Sequence, residues 1–438
     1  GGDAENWNTA GAWSFDNAAV TWADNNNAIF NTADATVTLD ANVTANSLVF
    51  NANATVSGAA TLTTPTVSVA SGVSATISAP TDGALTKAGA GTLTLGSSRS
   101  AATTLAEGTL AFSGSASLDW SAFTFGTDPA TPVTLDFGPT ATLSGIGASA
   151  ACKIGGVANV TSTVHKAGGD WTFHDFVLGN ASGAVATFLN EGGDLTAADY
   201  FRIGDSGSAT FVVSGGTVGN SSSDSKRVFV GYTGEGTLVV TNGGVFSATK
   251  SLFVARSANG TINVADGGRV HAGADIVFNY NNTAGRGVVN LGRGGVVEAN
   301  RAYRYKAGSS SFNFDGGTFK RLAAGDFFAA NNDADAIDVT VSANGGTLDN
   351  NGFAVGLPRT ITGAGGMTLS GSGTTTVSAD QSYTGTTTVS NEMTLSISGG
   401  VTFAGPVVFE TGAAFDIASA TPGVASIAAA SLAFPATG

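Results

Sequence analysis

Residues 228–272 read VFVGYTGEGTLVVTNGGVFSATKSLFVARSANGTINVADGGRVHA, and a single spacing runs through them. In Thr237-Leu238-Val239-Val240 and Thr261-Ile262-Asn263-Val264 apolar side chains recur at every second residue, the spacing of a half-buried strand. Ten residues earlier stands another such segment, with Val228/Val230 ahead of Leu238/Val240 and Leu252/Val254 ahead of Ile262/Val264. Each second segment runs into a glycine pair, Gly243-Gly244 and Gly267-Gly268, and the pairs are 24 residues apart. The repeating unit is therefore two strands and a glycine corner, at the length of one solenoid turn.

The unit persists on both sides. Gly-Gly pairs begin at Gly168, Gly192, Gly215, Gly243, Gly267, Gly294, Gly316 and Gly345, with steps of 24, 23, 28, 24, 27, 22 and 29. The next strand starts nine residues after Gly192, Gly243 and Gly267 but thirteen after Gly215, with the excess at Asn220-Ser221-Ser222-Ser223-Asp224. Strand spacing holds while polar turns vary, as stacked turns require. Proline cannot donate to a strand ladder, and all nine prolines avoid residues 140–357. The expected fold is all-β, a right-handed parallel β-helix (β-solenoid) of about 24 residues per turn, each strand bonded to its copies above and below. The 438 residues would make roughly 18 turns.

Composition narrows the function. Gly is 62 residues against 9 Pro, which suits many corners and neither collagen nor a Pro-rich linker. A net charge of −14, from 18 basic and 32 acidic residues, disfavours nucleic acid and anionic membrane. No run approaches the ~18 apolar residues of a membrane span. The single Cys152 allows no internal disulfide and reads as a small buried apolar residue.

Four segments follow from these patterns. Residues 1–80 hold a Trp-rich cap and the first turns, where Trp7, Trp13 and Trp22 would close the open end of an apolar column. Stacking of these tryptophans on a sugar is the weaker alternative. Residues 81–165 contain Leu85-Thr86-Lys87-Ala88-Gly89-Ala90-Gly91-Thr92-Leu93-Thr94-Leu95 and Glu107-Gly108-Thr109-Leu110. Residues 166–350 are the regular Gly-Gly block. Residues 351–438 carry Ile361-Thr362-Gly363-Ala364-Gly365-Gly366-Met367-Thr368-Leu369-Ser370.

The motifs at 85–110 and 361–370 resemble the autotransporter-associated β-strand repeat of bacterial surface proteins, and the Trp-rich opening is similar to the start of such passenger regions. The resemblance covers most of the chain. It implies an exported bacterial protein, secreted or held at the cell surface, whose relatives serve adhesion, aggregation or coating and less often hydrolysis. Residues after 400 do not read as the alternating strands of a membrane barrel, so the expectation is a passenger alone, a processed product or a relative anchored by other means.

Chemistry is sparse. A polysaccharide hydrolase on this fold needs converging carboxylates, and the Asn-Thr-Asp, Asp-Asp and Gly-His-Gly strings of the polygalacturonase-like family do not occur. His165, His174 and His271 are too few and too dispersed for a histidine metal site, and His165 and His174, nine residues apart across one Gly-Gly corner, read as turn histidines. Asp333, Asp335 and Asp338, with Asn331 and Asn332, form an acidic turn that could take calcium, although a solvated loop is the plainer reading. No other cofactor is expected. Arg301-Ala302-Tyr303-Arg304-Tyr305-Lys306 combines cations and aromatics, and neither of its alternating faces reads as core. It could bind acidic glycan or another subunit, or be an irregular loop.

The expected function is a non-catalytic exported surface protein forming an extended β-helix for adhesion, coating or self-assembly into fibres or layers through its unpaired ends. The alternatives are a polysaccharide-active lyase or hydrolase and a glycan-binding module using Arg301–Lys306. Expected partners are further copies of the chain, and surface glycan as a second possibility.

Overall fold

The computed structural model describes residues 5–15, 18–147, 149, 151–224, 227–281, 285–306, 308–330, 337–398, 400–417, 426–429 and 431–435. Among these the one helical element is a 3-10 turn at Trp120–Ala122. The chain is a parallel β-solenoid of about 16 turns averaging about 23 residues. The count is below the eighteen expected although the average length is close to the expected 24, and individual turns depart from that average in both directions. Val133 pairs with Ser162, a turn of 29 residues, and Glu5 with Val37, a turn of 32 that includes an antiparallel hairpin, Trp13–Phe15 with Ala18–Val20. By internal contacts the chain divides into two compact units, Gly1–Leu195 and Thr196–Gly438.

In the first unit, strands Ala35–Leu39, Ala54–Gly58, Ser74–Ile77, Thr92–Leu95, Gly108–Phe112, Val133–Phe137, Thr161–Lys166 and Val185–Asn190 stack in order as one parallel sheet. Turn length is not uniform, for Ser74 pairs with Thr92 after 18 residues and Thr92 with Thr109 after 17. Alternation sends Leu93, Leu95, Leu110, Phe112, Leu135 and Phe137 inward, all essentially inaccessible. One outward residue from each of the last five strands makes up a threonine column, with Thr92, Thr109, Thr134, Thr163 and Thr187 in register. β-branched threonine suits a half-exposed pleated face.

Two features hold this unit together. Lys87 is fully buried, and its Nζ donates to the carbonyls of Ala88 (3.0 Å), Gly89 (2.6 Å) and Glu107 (2.9 Å), satisfying three corner acceptors across two turns. At the N-terminal end Trp7 is fully buried against Trp13 and Trp22, with ring centroids 4.6 and 5.1 Å away. Phe30 continues this cluster into the column by stacking on Phe50 at 4.4 Å. The three tryptophans thus pack on each other and on the core.

In the second unit each turn carries three short strands. One sheet runs Gly236–Val240, Gly260–Val264, Arg286–Gly292, Ser309–Asp315 and Asp338–Val341. Its outer face holds a side-chain ladder in which Asn290 donates to Asn263 and Asn313 to Asn290, each at 2.8 Å, and Thr340 to Asn313 at 2.9 Å. A second sheet runs Val245–Ala248, Arg269–Ala272, Val296–Ala299, Thr318–Arg321 and Gly346–Asp349. Its outer column, His271, Glu298, Lys320 and Asp349, alternates in charge sign after the histidine. The third sheet carries the candidate site.

The glycine pairs behave as corners, since one member of each of the eight pairs has positive φ. At Asp266-Gly267-Gly268 the labour is divided. Asp266 (φ 50°) and Gly267 (φ 79°) take the left-handed conformations of a tight turn. A Cβ on Gly268 would meet Val240 O of the turn below at 2.1 Å, so that position must be bare for the backbones to stack.

Candidate functional site

The third sheet of the second unit consists of strands of three or four residues, Phe201–Ile203, Val228–Val230, Leu252–Val254, Asp275–Phe278, Arg301–Arg304 and Phe328–Ala330. The strand ends Phe201/Ile203, Val228/Val230, Leu252/Val254 and Ile276/Phe278 fill the core. The middle residues point outward in one register, Arg202, Phe229, Phe253, Val277, Tyr303 and Ala329. After each of the first four strands one residue turns left-handed: Gly204 (φ 77°), Gly231 (φ 79°), Ala255 (φ 60°) and Asn279 (φ 56°). The corner residues that follow them include Tyr232, Arg256 and Tyr280, which fold back over the outer face.

These side chains make a second, external layer of packing. Phe229 stacks on Phe253 at 5.2 Å, Tyr232 sits edge-on to Phe229 at 4.9 Å, and Tyr280 to Phe253 at 4.9 Å. Phe229, Phe253 and Val277 are 3%, 4% and 2% exposed although they face away from the solenoid core, because Tyr200, Tyr232, Tyr280 and Tyr303 cover them. Arginines are interleaved with the rings. The Arg202 guanidinium lies 4.1 Å from the Tyr200 centroid and 4.4 Å from that of Tyr232; Arg227 is 4.2 Å from Tyr200, Arg256 4.2 Å from Tyr232 and Arg301 4.5 Å from Tyr303. Tyr305 continues the layer at 5.1 Å from Tyr280. Five of the six tyrosines of the chain are thus gathered on one outer face.

The stripe is close to electrically balanced. Arg202 pairs with Asp205 at 3.0 Å, Arg227 with Asp199 and Asp224 at 3.0 Å each, and Arg301 with Asp275 at 3.3 Å. Burial and the neighbouring Asp275 raise the Tyr303 phenol above its ordinary pKa. Beside Arg301 the surface opens into a cleft of about 500 Å³ lined by Asp275, Asn300, Arg301, Arg321, Gly325 and Asp326.

The strand singled out in the sequence is therefore one rung of a larger feature, with its residues divided. Arg301 and Tyr303 face outward, Tyr305 is 37% exposed and Lys306 is exposed, with its Nζ 5.4 Å from the Tyr305 ring. Arg304 is turned inward with Ala302, 9% exposed, and its Nη1 donates to Gly308 O at 2.5 Å, so it belongs to the wall and not to the outer face. Tyr200, Arg227, Tyr232, Arg256 and Tyr280 fall outside the inward alternation that marks the strands, so strand periodicity does not reveal them. Their signal was present, since Tyr232, Arg256 and Tyr280 recur at steps of 24, the turn length itself.

The other candidates stand apart. Trp7, Trp13 and Trp22 belong to the end cluster of the first unit. Asp333 and Asp335 lie outside the described residues, and Asp338 is an exposed residue in register with Ser311. Cys152 is buried, which raises its thiol pKa well above the ordinary value. His174 lies in the bend between two short strands as expected, whereas His165 stands on the strand Thr161–Lys166 and not in a turn; His271 is on Arg269–Ala272. His271 and Arg269 both contact the Glu298 carboxylate; burial alone would raise its pKa, but these partners hold it low.

His165 lies between Asp136 (2.7 Å) and Glu191 (3.0 Å). Burial disfavours its charge, yet the two carboxylates outweigh it and the pKa is raised. A raised folded-state pKa adds stability that is complete below the unfolded value of about 6.5 and is lost as pH rises through the folded value. The first unit should therefore melt at a lower temperature at about pH 8.5 than at about pH 6, and His165→Gln should abolish that difference. A difference that survives the substitution would assign it to other groups.

Neither the family models, nor the curated proteins, nor the solved structures compared with the chain contain a match to it.

Proposed function

We propose that this chain is a non-catalytic, exported bacterial surface protein whose solenoid displays a contact face, and that this face is the tyrosine–arginine stripe of the second unit. The observation that carries the reading is the placement of five tyrosines and four arginines outside the solenoid core, on the outer face of one sheet and its corners over successive turns. Aromatic and arginine side chains are the residue types that dominate recognition surfaces. Export and surface location are supported by the resemblance of residues 85–110 and 361–370 to autotransporter-associated repeats.

Retention of the purified chain on polysaccharide-coated and cell-envelope-coated surfaces tests this, with negative-stain microscopy over a concentration series alongside. The expected result is discrete particles that are retained on such a surface and released by the Tyr232→Ala/Tyr303→Ala double substitution. Retention unaffected by the substitution overturns the assignment of the face. Ordered filaments or layers formed equally by the double variant would make self-assembly the function instead.

One observation favours a second reading. Asp275 and Asp326 line the same cleft, which is the residue type a polysaccharide hydrolase needs. Release of reducing ends that disappears in Asp326→Asn would establish it.

A further inference from the structure

We infer that the stripe and the adjoining cleft together bind a neutral polysaccharide chain. This rests on the contact-face reading above and names the ligand of that face. The sequence alone suggested an acidic glycan, because Arg301, Arg304 and Lys306 look like free cations in one dimension. In the folded chain Arg304 is internal, while Arg202, Arg227 and Arg301 each have a carboxylate within 3.3 Å. An acidic polymer would have to displace those aspartates, and would do so on a chain whose net charge is −14. Sugar hydroxyls need displace nothing, since each carboxylate keeps lone pairs and each guanidinium N–H groups beyond those used in the pair.

The apolar half of the recognition comes from the rings. A pyranose offers a face of C–H groups that packs on an aromatic ring, and its equatorial hydroxyls reach sideways to planar polar groups. That combination is present where Tyr303 lies against Arg301, which with Asp275 and Asn300 lines the cleft, and where the Tyr280 and Tyr305 rings pair on the same outer face. The stripe repeats once per turn, about 4.8 Å in a parallel ladder, from Tyr200 to Tyr305. A linear polymer of ring-shaped units can touch several turns at once, whereas a single small molecule cannot. Multiple weak contacts along one chain then add to a useful affinity.

Isothermal titration of the full chain with neutral β-1,4-linked hexasaccharides of glucose, xylose and N-acetylglucosamine, against hexagalacturonate, tests the inference. At least one neutral series should bind, with affinity unchanged by added salt. Tyr303→Ala should weaken that binding about tenfold or more, while Tyr303→Phe, which keeps the ring, should stay within about threefold. Circular dichroism and melting of both variants verify that they fold. Failure of every neutral hexasaccharide to bind, or preferential galacturonate binding screened by salt, overturns the inference. Neutral binding that survives Tyr303→Ala places the glycan elsewhere and also overturns it. If surface retention is still lost in the Tyr232→Ala/Tyr303→Ala protein while no neutral sugar binds, the contact-face reading stands and only its ligand is wrong.

Discussion

Trp7→Ala should destabilise the first unit by about 3–5 kcal/mol, the cost of deleting a large, fully buried aromatic side chain. The effect extends beyond lost area, because Trp7 is the inner member of a cluster whose other rings, Trp13, Trp22 and Phe30, lie 4.6, 5.1 and 6.1 Å away. Its backbone is tied in as well. The Trp7 N–H donates to Thr38 O at 2.7 Å, and the Trp13 indole donates to Trp7 O at 2.8 Å. Without the ring, the Phe30–Phe50 stack loses its cover at the end of the column. In a solenoid each turn contacts mainly its neighbours, so loosening begins locally. Hydrogen exchange should therefore accelerate first in Ala35–Leu39, and denaturant midpoints should fall. A loss below about 1 kcal/mol would mean that the tryptophans shield little of the core.

Gly231→Ala should cost about 3 kcal/mol or more in the second unit. Its φ of 79° is left-handed, which penalises any residue with a Cβ by roughly 1–2 kcal/mol. The added Cβ would also stand 2.3 Å from Asn259 O and 2.7 Å from its carbonyl carbon, atoms of the adjacent turn that cannot yield without breaking the ladder. Gly243→Ala provides the contrast. Its φ is 78°, but nothing lies within 4 Å of the added Cβ, so only the conformational part, about 1 kcal/mol, should appear. Equal losses in the two variants, measured by denaturant unfolding, would refute the close-approach argument. Because Gly231 sets the direction of Tyr232, its substitution should also weaken whatever the stripe holds.

Much of this architecture is written in one dimension. A parallel ladder forces each turn to repeat the inward and outward alternation of the last, so Leu238/Val240 and Ile262/Val264 disclose the strands, and Gly243 and Gly267 the corners. The regular 24-residue period is likewise local in origin. The shorter turns, such as Thr92 to Thr109, escaped because their corners hold no glycine pair to count. His165 misled for a similar reason, since alternation alone does not tell a strand's polar face from a turn.

The candidate site was legible only in part. Arg301, Tyr303 and Tyr305 stood out because they crowd one short segment. Tyr200, Tyr232, Arg256 and Tyr280 are scattered over eighty-one residues, and they meet only because stacking brings equivalent corners about 4.8 Å apart.

What the sequence by itself determined is the all-β class, the solenoid turn, the glycine corners and the tryptophan cluster, since each follows from spacing along the chain. What only the tertiary structure decided is which polar residues are walls and which are surface. Arg304 is buried, Arg301 faces outward, and three stripe arginines are neutralised by aspartates, two of them on the neighbouring turn or corner. The physical reason is that charge and exposure at a corner depend on the side chains of the turns above and below, which are distant in sequence and adjacent in space.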